Sequence, residues 1–114
     1  MPSRTVDTAL RDIQHHIDLA TSFCAGFDRA SFKLDIKTAY AVTRCLEIIS
    51  EASRRLSDDL KARHPAIGWK QMAAAGNVYR HDYEDVAAEF VWETVERALP
   101  PLRVVVEAEL KRGG

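Results

Sequence analysis

No stretch of this sequence approaches the ~20 consecutive apolar residues that cross a bilayer, so no membrane-spanning segment and no membrane partner are expected. The first twelve residues, MPSRTVDTALRD, lack the apolar stretch of a secretory leader, and a cytoplasmic location is the expectation. Cysteine is scarce: Cys24 and Cys45 are the only two, each set in a helical apolar pattern. They read as two buried thiols in a reducing compartment, with a single disulfide as the alternative. There is no Cys-x-x-Cys pair, no glycine-rich phosphate loop and no nucleophile elbow. The histidines are His15, His16, His64 and His81, and no two have the i, i+4 spacing of helical metal ligands. Neither a metal nor another cofactor is therefore expected. Formal net charge is −1, so no global field draws the protein onto nucleic acid. Contact with RNA needs a local basic patch, or one that two subunits assemble together. Repeats, low-complexity tracts and interdomain linkers are also missing, which makes residues 1–114 a single domain.

What is present is an ordinary globular composition, 46% apolar and 29% charged. A chain of this length buries roughly 65% of the surface its unfolded state exposes, enough to fold without staples. The cleanest period runs through Val6, Leu10, Ile13, Ile17, Ala20, Cys24 and Phe27, in alternating steps of four and three. That spacing predicts a first helix, capped by Ser3 or Thr5, favoured by Asp7 in its first turn, and ended by Gly26 and the polar stretch FDRASFKLD. A second helix is predicted from about Asp35 to Arg63, with a seam of Val42, Leu46, Ile49, Ser53, Leu56 and Leu60. HPAIGW, residues 64–69, holds a proline and a glycine and reads as a connector. A third helix is predicted from Trp69 to about His81, with Gly76 interrupting it at a cost of about 1 kcal/mol relative to alanine.

A fourth helix is predicted to follow Asp85 and to carry Phe90, Val91, Val95, Ala98 and Leu99. Pro100 and Pro101 then remove two backbone donors, so it must kink or restart there. The tail LRVVVEAELK has three valines that favour a strand, but a lone strand has no pairing partner here, and helix is the reading. The predicted fold is all-α, an antiparallel four-helix up-and-down bundle with a kinked last helix. Trp69, Trp92, Phe32 and Tyr40 are left over from so thin a bundle, and a homodimer is expected to bury them.

The densest cluster of reactive side chains is Gly76-Asn77-Val78-Tyr79-Arg80-His81-Asp82-Tyr83. On a helix Asn77 and His81 share a face, as do Gly76 and Arg80. An imidazole beside an amide and a guanidinium suits phosphodiester chemistry: histidine moves a proton near neutral pH, and arginine steadies charge on a phosphate. The plainer reading is a helix end whose His and Arg neutralise the carboxy-terminal dipole. Arg44, Glu47, Glu51, Arg54 and Arg55 on the second helix read as a solvated face of ion pairs. The alternative sets Arg44 and Glu47 against the reactive segment, orienting His81.

Taken together, Tyr40-Ala41-Val42-x-Arg44-x-Leu46-Glu47-Ile48-Ile49-x-Glu51-Ala52, Trp69, Asn77-Val78-x-x-His81-Asp82-Tyr83, Val91-Trp92-Glu93-Thr94-Val95 and Leu99-Pro100 resemble the HepT family of the HEPN superfamily. The resemblance spans about residues 8 to 110. It implies a dimeric helical bundle with a metal-independent RNase site at the dimer cleft, the toxin of a type VII HepT/MntA toxin–antitoxin pair. It also implies a partner, an MntA-like minimal nucleotidyltransferase that silences the toxin by AMPylation of a tyrosine. The family signature is Arg, four residues, His, one residue, Tyr, with Asn commonly after the Arg. It maps His81 and Asn77 as catalytic and Tyr83 as the modified residue. Gly76 stands where the family has Arg, and Arg80, one turn further on, is the guanidinium that can reach the vacated place. The alternative implied function is a catalytically impaired binding module that engages the nucleotidyltransferase or a nucleotide.

Overall fold

The computed structural model describes residues 4–78 and 84–113. Every regular element among them is helical: α1 (Arg4–Cys24), α2 (Arg29–Leu34), α3 (Ile36–Arg54), α4 (Asp58–Arg63), α5 (Trp69–Val78), α6 (Glu84–Glu93), a π turn (Thr94–Ala98) and α7 (Leu99–Gly113). The three-valine tail is helical, as its lack of a pairing partner required, with Val106 buried and Val104 turned to solvent.

The predicted seams are the core. Val6, Leu10, Ile13, Ile17 and Ala20 of α1 pack with Val42, Leu46 and Ile49 of α3, and Leu102 and Val106 of α7 close over them. Arg55, just past α3, donates to Asp12 in the first half of α1 at 3.0 Å, as an antiparallel pair requires. Arg103 of α7 meets Asp18 of α1 at 3.0 Å. Burying that many aliphatic side chains at roughly 1.5–3 kcal/mol each is the main stabilising contribution.

Four details differ from the sequence expectation, each for a local reason. Thr5 lies inside α1 rather than capping it, and Ser3 is outside the described residues. The polar stretch after α1 is not all connector. Gly26, with φ of +85°, turns the chain out of α1, and Asp28 then starts α2 by a capping box with Ser31. Phe32 on that short helix is 0% exposed and meets Trp92 with ring centroids 5.2 Å apart, so it belongs to the core rather than to a partner. The second predicted helix is two helices. Ser57 caps α4, accepting from the Leu60 amide at 3.2 Å, and the chain breaks after Arg54 while Leu56 and Leu60 stay buried.

The last helix is α6 and α7 joined by the π turn. Pro100 and Pro101 cannot donate to the carbonyls four residues back, and the Leu99 amide instead reaches Thr94 O. The Thr94 hydroxyl donates to Phe90 O at 2.8 Å. Trp69 is held within the chain too, its indole donating to Lys61 O at 3.2 Å and His64 O at 3.0 Å. Of the four large residues set aside for a partner, only Tyr40 is well exposed, at 61%.

Glu109 is a buried carboxylate on α7. Arg63 donates to it from Nη2 at 2.7 Å and from Nε at 3.3 Å, and His64 Nε2 lies 2.7 Å from its second oxygen. Arg63, against the opposing effect of burial and with help from His64, holds the Glu109 carboxyl below the usual carboxylate range. A depressed carboxylate stabilises the fold above its unfolded pKa of about 4.3 and loses that contribution as pH falls through the folded value. Glu109→Gln is therefore expected to lower Tm by about 5 °C at pH 7. Thermal melts from pH 7 to pH 3 check it: the gap between the two proteins narrows below about pH 4.

Candidate active site

The segment singled out in the sequence runs from the end of α5 towards α6. Residues 79–83, and with them Arg80, His81 and Tyr83, lie outside the described residues, as does the side chain of Asn77. What is described is the ground on which that segment begins: the last turns of α5 and the stretch of α3 beneath them.

α5 comes unusually close to α3 at Gly76. A Cβ built there would lie 3.2 Å from Ser50 Oγ, 3.4 Å from Ser50 Cβ and 3.9 Å from Glu47 Cα. The Gly76 amide instead donates to Ser50 Oγ at 3.3 Å, and that hydroxyl donates to Ala73 O at 2.9 Å. Arg54 adds two bonds to the same carbonyl, from Nη2 at 2.6 Å and Nε at 3.1 Å. Ser50 is 1% exposed, and its hydroxyl, committed on both sides, is a structural linchpin rather than a nucleophile.

These contacts fix a register. Ala73 faces Ser50 and Arg54, and Gly76 faces Glu47 and Ser50, so α5 runs antiparallel to α3 and its end points towards the turn bearing Arg44 and Glu47. The two predicted accessory residues are thus on the stretch of α3 next to the end of α5. Their ion pair is loose, at 3.9 Å, with the Arg44 side chain 71% exposed and that of Glu47 27% exposed. Arg44 keeps donors to spare for an anionic ligand.

Ser50 was not among the residues singled out, and its only mark in the sequence is a small polar residue beside the apolar seam of α3. α6, on the other flank, is fastened by α2: Arg29 donates to Glu89 at 2.6 Å and to Glu93 at 2.8 Å, and Lys33 to Glu89 at 3.0 Å.

Thiol chemistry is a poor fit to this molecule. Cys24 and Cys45 are both free. Burial, with Cys45 as a neighbour, pushes the Cys24 thiol up to about 11, and burial also raises Cys45, so both stay protonated at neutral pH. Among the described residues no three His, Cys, Asp or Glu side chains converge on a possible metal position, and no helix there is long and apolar enough to cross a membrane.

A model of the family described as Ribonuclease HepT-like matches residues 13–109. Among curated proteins, one named "Probable ribonuclease HepT" from Thermococcus cleftensis is 38% identical over 94 residues, covering 82% of this chain and 86% of its own. A "Putative RNase" from Methanocaldococcus jannaschii is 32% identical over 111 residues, covering 97% of this chain and 96% of its own. Another so named, from Caldanaerobacter subterraneus, is 30% identical over 87 residues, covering 76% and 78%. No solved structure matches the chain.

Alanine is the better helix former by about 1 kcal/mol, but Ser50 is buried and doubly hydrogen-bonded and cannot yield to a methyl at position 76. Gly76→Ala is expected to destabilise the fold by about 1 kcal/mol net, read as a lower urea midpoint. Pairing it with Ser50→Ala removes the 3.2 Å contact, and the double variant is expected to lose less than the two single losses added together.

Proposed function

The chain belongs to the HepT-like ribonuclease family, and on that premise we propose that it is the RNase toxin of a HepT/MntA-type toxin–antitoxin pair, cutting RNA without a metal. The reading is of an up-and-down helical bundle acting as a homodimer, with the reactive segment facing a cleft between the two copies. His81 takes the proton from a ribose 2′-hydroxyl, and the 2′-oxygen attacks the adjacent phosphorus. The bond to the 5′-oxygen breaks, and that oxygen leaves with a proton from the second histidine of the dimer. The products are a 2′,3′-cyclic phosphate and a 5′-hydroxyl. No metal takes part in the reaction, and DNA, lacking the 2′-hydroxyl, is not cut.

In this proposal Asn77 orients His81 or holds the phosphate, Arg80 supplies the guanidinium that Gly76 does not, and Arg44 with Glu47 steers the imidazole. Adding AMP to Tyr83, the work of a partner nucleotidyltransferase, places bulk and negative charge where the RNA phosphate must lie. The observation that carries the reading is family membership combined with His81 and Tyr83 at the signature spacing.

One structural observation favours a second reading. Gly76, at the signature arginine position, is packed so tightly on Ser50 that even a methyl is crowded. A chain that has given up that arginine and closed the space behind it suits a non-catalytic module that binds the nucleotidyltransferase through the Tyr83 face.

Purified protein incubated with RNA in EDTA separates the two. The first reading expects cleavage to persist and to leave 2′,3′-cyclic phosphate ends. His81→Ala is expected to slow it by about 10²–10⁴-fold, and Arg80→Ala by about 10²-fold. Intact RNA together with stable capture of the nucleotidyltransferase would leave the binding module. An unchanged rate in Arg80→Ala removes that residue from the site.

A further inference from the structure

A cleft of about 480 Å³ opens between α5 on one side and α6, the π turn and the start of α7 on the other. It plays no part in the fold's main seams, and it is walled by the two helices that residues 79–83 connect. Its size is that of a small-molecule site rather than of a packing defect.

The lining has a definite chemistry. Met72 and Ala75 of α5, Phe90 of α6 and Ala98 of the π turn supply apolar walls. Its charged residues, Glu93 and Arg97, are paired with each other at 2.8 Å, and Glu93 also takes Arg29 at 2.8 Å. The two charges offset each other, so the cleft carries no net charge of its own. Gln71 provides the polar handle. It makes no hydrogen bond among the described residues, and its amide presents two donors and an acceptor. Gly68, lacking a Cβ, leaves room for that amide, since a Cβ there would sit 2.8 Å from Gln71 Oε1. The π turn brings in Thr94, whose hydroxyl, donating to Phe90 O, keeps its own acceptor sites open.

A neutral ligand with apolar faces and a donor–acceptor edge fits such a lining. Ala75 adjoins Gly76 in the chain, and Met72 lies about one turn, or ~6 Å, further back along α5. We propose that this cleft is a nucleobase subsite, taking one unstacked base of the RNA strand beside the cleaved bond and reading its edge with Gln71. The proposal rests on the ribonuclease reading for its ligand and concerns a part of the molecule that reading does not use.

The chain has two methionines, Met1 and Met72, so methyl-¹³C methionine labelling of the full-length protein gives one reporter in the cleft and one far along the sequence as control. The probe is a 2′-O-methyl tetranucleotide, which can bind but cannot be cut, set against a strand of the same backbone without bases. The base-bearing strand is expected to move the Met72 signal by ring current and leave Met1 unmoved, and the abasic strand is expected to move neither. Gln71→Ala, an exposed change, is expected to alter the preference among four homopolymeric probes by about tenfold with an unchanged Tm.

A Met72 signal that ignores the probe, follows the abasic strand equally, or answers only to a fatty acid such as decanoate overturns the proposal. Because the probe is uncleavable, the two readings fail separately. A Met72 shift with no cleavage of natural RNA sinks the ribonuclease and keeps the subsite, and cleavage with no shift does the reverse.

Discussion

Ser50 is a hydroxyl buried in the interface of α3 with α5, and the two helices can close on it because α5 has no side chain at Gly76. Its oxygen takes the Gly76 amide and returns a bond to Ala73 O, so two backbone groups near the end of α5 are tied to one residue of α3. A helix carried on such a short spacer has little freedom to slide or roll. The register of α5 on α3 is set by this contact, and it brings the end of α5 alongside the turn of α3 that bears Arg44 and Glu47.

The remaining elements are fixed by charge laid over an aliphatic core. Arg29 and Lys33 on α2 hold the acidic face of α6, and Arg63 with His64 holds Glu109 of α7. The two sets differ in kind. The α2–α6 pairs are half exposed, so salt and water screen them, and they act mainly as a guide to position. Glu109 is almost wholly covered, and a carboxylate there without its partners would be strongly destabilising.

Gly76 has consequences for chemistry as well as packing. In a ribonuclease that uses no metal, the charge developing on the phosphate must be met by protein cations and hydrogen bonds. Here a side chain at position 76 would meet Ser50, and Arg44, on the stretch of α3 next to the end of α5, is well exposed. In the proposed reading, the same close packing that gives α5 its firm seat leaves phosphate recognition to other residues.

The long helices were legible because they bury one face each, and a face repeated over five or six turns leaves an unmistakable period in the chain. α2 was not, since six residues are too few to show one, although the Asp28–Ser31 capping pair was there to be read. The break after Arg54 was hidden for a related reason: Leu56 and Leu60 remain buried through it, so the apolar pattern passes over it unchanged, whereas Pro100 and Pro101 announced the irregularity in the last helix. The reactive cluster and its family likeness were evident in the order of residues 76–83. By itself, then, the sequence determined an all-helical chain, its two main seams and its family, because periodicity and residue order are local properties. Only the tertiary structure decided that Phe32 is core, that Ser50 lies against Gly76, and that α5 and α6 enclose a neutral cleft, because each depends on a distance between residues far apart in the chain, which no local pattern encodes.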